Sequence, residues 1–122
     1  MAQEKVFENK IKKFLDEEKC WYVKFFANGY TRKGIPDLLC CVNGYFLAIE
    51  VKAENGKATD LQKWNIEKIG FAGGLSFILK PSQFENFKAL VNALKDGHPK
   101  RIEVWDKLDS TVLRNLYGLK EV

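Results

Sequence analysis

An α/β domain with a mixed central sheet flanked by helices is the fold this sequence predicts, and three features predict it. Apolar residues recur at helical spacing in separated segments, strand-like runs lie between them, and an Asn43-Gly44 pair joins two of those runs. With 122 residues, 46% of them hydrophobic, the chain suits one domain, residues 1–122, with a real core.

Residues 3 to about 19 carry Val6, Phe7, Ile11, Phe14 and Leu15 at helical spacing among Lys and Glu, which predicts an amphipathic first helix. Residues 21–26, WYVKFF, are aromatic and β-branched and predict a strand. The polar stretch 27–36, with Asn28-Gly29 and the basic pair Arg32-Lys33, predicts a loop. Residues 34–52, GIPDLLCCVNGYFLAIEVK, predict a hairpin, because Asn-Gly between strand-like runs selects a two-residue type I′ turn. Leu38, Cys40 and Val42 fall on one face of that hairpin and Leu39, Cys41 and Phe46 on the other, so the sheet is expected to be covered on both sides.

Beyond it, Thr59-Asp60-Leu61-Gln62 has the pattern of a capping box, opening a helix that ends near Ala72-Gly73-Gly74. Residues 75–79 read as a short strand. The stretch 81–85, PSQFE, repeats the capping pattern and opens a third helix with Phe84, Phe87, Leu90, Val91 and Leu94 on its buried side. After a GHPK break, residues 101–105 are expected as an edge strand and 109–117 as a last helix closed by Gly118.

The formal charge of +4 is compatible with a polyanionic partner and excludes little. The sequence shows no charged-then-apolar leader and no apolar run near the roughly 20 residues that span a bilayer, so a cytosolic protein without membrane contact is expected. Its three cysteines, Cys20, Cys40 and Cys41, are expected as reduced core residues, and Trp21, Trp64 and Trp105 as packing residues. A single histidine, His98, and the absence of Cys-x-x-C spacing argue against a zinc site.

The chemistry lies in the hairpin. If Val42 pairs with Tyr45, the register places Asp37 opposite Glu50, and Lys52, two residues on, faces the same side. Directly opposed carboxylates repel, so something positive should sit between them. A hard divalent cation answers this, because such ions take one or two protein carboxylates and keep waters and phosphate. A salt bridge to Lys52 answers it too. Gln62 is open in the same way: position N3 of the capping box is one reading and a place in the site is the other.

These residues resemble the PD-(D/E)XK nuclease superfamily and, within it, the VRR-NUC family of virus-type replication and repair nucleases, on Pro36-Asp37, then Glu50-Val51-Lys52, then GKATDLQ at 56–62, a helix and AGG at 72–74. The resemblance implies a restriction-endonuclease-like core in which Asp37, Glu50 and the carbonyl of Val51 hold Mg²⁺ or Mn²⁺. It implies Lys52 at the attacking water or scissile phosphate, Gln62 facing the site, and a further acid on the first helix, for which Glu8 matches; Glu8 equally forms an i,i+4 pair with Lys12. Arg32, Lys33, Lys57 and Tyr30 are candidate DNA contacts, each also readable as a solvated or packing residue.

The implied activity is metal-dependent hydrolysis of DNA phosphodiesters, as in DNA repair. Without a zinc finger, recognition helix or basic arm, it is expected to be specific for structure, such as branches or flaps, more than for sequence. A Holliday-junction resolvase of the same superfamily is the near alternative, and a non-catalytic DNA-binding module with the same fold the more distant one. A homodimer is expected from the resemblance and from the aromatic-rich segment 105–117.

Overall fold

Asn43 (φ 49°) and Gly44 (φ 86°) both take the left-handed conformation that a two-residue I′ hairpin turn requires. The turn sets the register that follows. The computed structural model describes residues 2–30 and 32–97, and in it strand β2 (Leu38–Val42) pairs with β3 (Tyr45–Val51) from Val42 and Tyr45 to Leu38 and Ile49. Asp37 and Glu50 are the next residue on each strand. The turn is also tied down from outside, since Asn43 Nδ2 donates to the carbonyl of Leu94 at 2.9 Å.

The remaining elements are helix α1 (Ala2–Glu17), strand β1 (Trp21–Lys24), helix α2 (Asp60–Phe71), strand β4 (Leu75–Leu79), a 3-10 turn (Pro81–Gln83) and helix α3 (Phe84–Asp96). The sheet order is β1-β2-β3-β4, antiparallel except for the parallel β3–β4 pair that α2 connects. This is the mixed sheet that the sequence predicts. The expected edge strand at 101–105 and helix at 109–117, with His98 and Trp105, lie outside the described residues.

One face of the sheet carries the core. Leu38, Cys40, Leu47, Ile49, Val51, Phe77 and Leu79 are buried there against Ile11 and Leu15 of α1 and Phe87, Leu90 and Leu94 of α3. Edge-to-face rings join the two helices, with Phe7–Phe84 centroids at 5.9 Å and Phe14–Phe87 also at 5.9 Å. No helix among the described residues is long and apolar enough to cross a membrane.

Several expectations change. The second face is covered by α2 over β3 and β4 only, so Ala48 and Ser76 are buried while Trp21, Val23, Cys41 and Phe46 are exposed. Only Cys40 of the three free cysteines is therefore a core residue, Cys20 being half-buried and Cys41 exposed. Trp64, on the outer side of α2, is also half exposed instead of packed. Strand β1 stops at Lys24, two residues short of the aromatic run that suggested it. The capping box at Thr59 forms as expected, whereas α3 has none: Gln83 makes no side-chain cap, and Ser82 instead donates from its N–H and Oγ to the Glu54 carboxylate. Val6, placed on the buried side of α1 by spacing, is exposed because the stripe that packs is Phe7, Ile11, Phe14 and Leu15.

The loop between β1 and β2 is pinned to α2. Asn65, buried, donates Nδ2 to the carbonyls of Lys33 (3.2 Å) and Leu61 (3.0 Å). Gly34 lies against the same helix at φ 77°, where a Cβ would come within 2.7 Å of Leu61 Cγ and 2.9 Å of Asn65 Nδ2. Replacing Gly34 by Ala thus adds both left-handed strain and overlap, and is expected to cost about 1–3 kcal/mol in denaturant unfolding. A Gly34→Ala midpoint equal to that of the wild type would show that the loop does not lean on α2.

Candidate metal centre at the end of the hairpin

Three strand ends converge on one edge of the molecule. Lys24 is the last residue of β1, Asp37 precedes β2, and Glu50 is next to last in β3. Strand alternation sends Lys24 toward the α1 side of the sheet and Glu50 toward the α2 side, while Asp37, beyond the end of its ladder, is reachable from both.

Glu50 is only 2% exposed. Its Oε2 lies 3.3 Å from the Lys52 ammonium, and its Oε1 has no hydrogen-bond partner among the described residues. Burial first, and then the Asp37 carboxylate, push the Glu50 carboxyl up from 4.5 to about 7, against the opposing pull of Lys52. The expected proximity of Asp37, Glu50 and Lys52 is thus observed. Asp37 turns its Oδ2 to accept the backbone N–H of Val51 at 2.8 Å, and its Oδ1 sits 3.3 Å from Lys24 Nζ. The Val51 side chain is wholly buried in the core, so its backbone alone borders the site.

Lys24 is the residue that sequence reasoning missed. Its ammonium bridges Glu8 Oε1 at 2.8 Å and Asp37 Oδ1 at 3.3 Å, and so joins α1 to the hairpin. Burial lowers the Lys24 pKa, but Glu8 and Asp37 raise it further than burial lowers it. Glu8 is 4% exposed, with Oε2 2.9 Å from Lys12. The i,i+4 pair therefore exists, with its carboxylate buried and Lys12 reaching it from the surface, its side chain 23% exposed. Burial pushes the Glu8 carboxyl up, and Lys24 and Lys12 outweigh that, leaving it below its usual value. Glu8 reaches Asp37 through Lys24.

Gln62 is placed as the capping box requires, its Oε1 accepting the Thr59 N–H at 2.8 Å and its own N–H donating to Thr59 Oγ1 at 3.1 Å. Its carbonyl is committed to the helix start, which leaves the amide nitrogen for any second role. Arg32, Lys33 and Lys57 are exposed, and Tyr30 projects fully into solvent at 101%. These side chains are thus accessible to a polyanion without touching the carboxylates.

The donor set fits a hard divalent cation, because a buried carboxylate oxygen without a partner, beside a second carboxylate, is an arrangement such ions take. No cluster of three or more His, Cys, Asp or Glu side chains suited to a metal occurs among the described residues. An ion here would complete its shell with backbone oxygen, water or phosphate.

The raised Glu50 pKa makes a prediction about stability without metal. A carboxyl that binds its proton more tightly in the native state contributes stability fully present below pH 4.5 and lost as pH rises through about 7. Glu50→Gln removes that loss, so the variant in chelator should gain on the order of 1–3 kcal/mol at pH 8 and show a flatter profile between pH 4.5 and 7. Urea unfolding across that range measures it; equal slopes for both proteins would place Glu50 in a well-compensated ion pair with Lys52.

Residues 2–104 match the family model described as archaeal Holliday junction resolvase (Hjc), a family of nucleases within the PD-(D/E)XK superfamily. No curated protein matches the chain significantly. The matched span covers most of the 122 residues and takes in every element that carries Glu8, Lys24, Asp37, Glu50 and Lys52. With its mixed sheet and flanking helices, the chain belongs to the archaeal Holliday junction resolvase family.

Proposed function

We propose that this chain is a divalent-metal-dependent endonuclease that cuts DNA at branch points, with Asp37, Glu50 and the carbonyl of Val51 holding Mg²⁺ or Mn²⁺. The observation that carries the reading is Glu50, a buried carboxylate with one oxygen unpartnered among the described residues and a second carboxylate beside it. Such a bound ion supplies Lewis acidity to the phosphate and lowers the pKa of water. Lys52, whose ammonium is 3.3 Å from Glu50 Oε2 and whose side chain is 13% exposed, would stabilise charge developing on the phosphate oxygens. Lys24 and Glu8 position Asp37 by holding its Oδ1 from the α1 side.

The narrower likeness to VRR-NUC nucleases, in which residues 56–62 and 72–74 join Pro36-Asp37 and Glu50-Val51-Lys52, is kept as a proposal, and the Gln62 amide nitrogen is the atom we assign to the site. Arg32, Lys33, Lys57 and Tyr30 are proposed as DNA contacts of backbone and stacking type. We further propose a homodimer, since two sites facing one junction suit a twofold assembly and the open sheet face presents Trp21, Val23, Cys41 and Phe46. The segment 105–117 that first prompted this expectation lies outside the described residues.

Four-way junctions should be cleaved with Mg²⁺ or Mn²⁺ and left intact in chelator, and Asp37→Asn and Glu50→Gln should abolish cleavage while folding normally. Lys52→Met should retain metal binding and lose about 10²- to 10³-fold in single-turnover rate. Junction cleavage by purified Asp37→Asn at the wild-type rate would remove the assignment, and a monomer at all concentrations by sedimentation would remove the dimer.

A further inference from the structure

Strand β1 ends at Lys24, and the residues after it are held close to the carboxylates. The Phe25 N–H donates to the Asp37 carbonyl at 2.8 Å, which fixes the backbone one residue before Phe26. Phe26 turns its side chain outward, 73% exposed, with the ring centroid 5.9 Å from Lys24 Nζ. That ammonium bridges Glu8 and Asp37. A large apolar ring is therefore presented to solvent on a braced backbone, one side chain away from the site. Isolated exposed apolar residues are common and by themselves carry no meaning. Two features set Phe26 apart. The stretch that it opens is braced at both ends, by Asp37 at Phe25 and by Asn65 at Lys33, and within that stretch a second aromatic, Tyr30, is fully exposed.

An aromatic face stacks on any nucleobase irrespective of sequence, at about 1–3 kcal/mol per base. In continuous duplex DNA the base faces are covered by their neighbours. At a branch point the stack is interrupted, and a face becomes available where strands exchange. We propose that Phe26 stacks on the unstacked base at the branch point and so makes the protein selective for branched over linear DNA. This rests on the reading of the Asp37 and Glu50 site as a nuclease centre and adds to it the residue that brings the exchanging strand beside that centre. The basic pair Arg32 and Lys33, exposed later in the same stretch, would contact flanking phosphates, which supply affinity without discriminating structure.

Binding in chelator separates this inference from catalysis. The affinities of a four-way junction and of a linear duplex of the same length are measured by competition for wild type, Phe26→Ala, Phe26→Leu and Phe26→Trp, with 2-aminopurine at the branch point reporting stacking. Phe26→Ala is expected to lower the junction-to-duplex affinity ratio about tenfold, leave duplex affinity and thermal stability unchanged, and lose the fluorescence change. Phe26→Trp is expected to restore the ratio and Phe26→Leu to fail. A wild-type ratio in Phe26→Ala, equal rescue by Leu, or a wild-type protein with no junction preference overturns the proposal. A wild-type protein that prefers junctions through Phe26 yet cuts nothing with any divalent ion counts against the nuclease reading alone.

Discussion

A carboxylate shut away from water must be neutralised, paired or coordinated, and Glu50, at 2% exposure, is the group on which this constraint falls. Its position is not a local choice. The left-handed Asn43 and Gly44 turn fixes the β2–β3 register, and that register brings the next residues on each strand, Asp37 and Glu50, to the same end of the sheet. Apolar packing of β3 between the core on one side and α2 on the other removes water from Glu50. The fold therefore concentrates negative charge where solvent cannot screen it, and the surrounding ammoniums follow from that.

Those ammoniums divide the acids between them. Lys52 faces Glu50, while Lys24 is shared by Asp37 and Glu8 and Lys12 completes Glu8. Each oxygen of Glu8 thereby has an ammonium beside it, Lys24 at Oε1 and Lys12 at Oε2, although Oε2 makes no hydrogen bond among the described residues, and its carboxyl stays below its usual value. Glu50 Oε1 has neither a hydrogen-bond partner nor an ammonium beside it among the described residues. Glu8 thus has an ammonium at each oxygen and Glu50 at only one, and α1, through Lys24, braces Asp37 from the other side of the sheet.

The hairpin, its register, the Thr59 capping box and the triad Asp37, Glu50, Lys52 were legible because each rests on neighbours within a few positions and on strand alternation. Lys24 was not, because nothing between Glu8, Lys24 and Asp37 in sequence signals that α1 crosses the end of β1; a basic residue closing a strand beside an acidic site was the available hint. The two-sided sheet was overestimated for a related reason. Apolar side chains on Cys41 and Phe46 show which face they occupy but not how far α2 extends across it. At α3 the PSQFE pattern lost to a competing partner, the distant Glu54, which takes both donors of Ser82.

The proposed chemistry requires that Glu50 and Asp37 together receive a divalent cation. Calorimetric titration of Mn²⁺ into the protein without DNA tests it apart from any cleavage. Saturable binding to the wild type that disappears in the Asp37→Asn, Glu50→Gln double variant, with a rise in melting temperature on Mn²⁺ addition confined to the wild type, is the predicted result. Binding of the same affinity to the double variant, or none to the wild type, would contradict it.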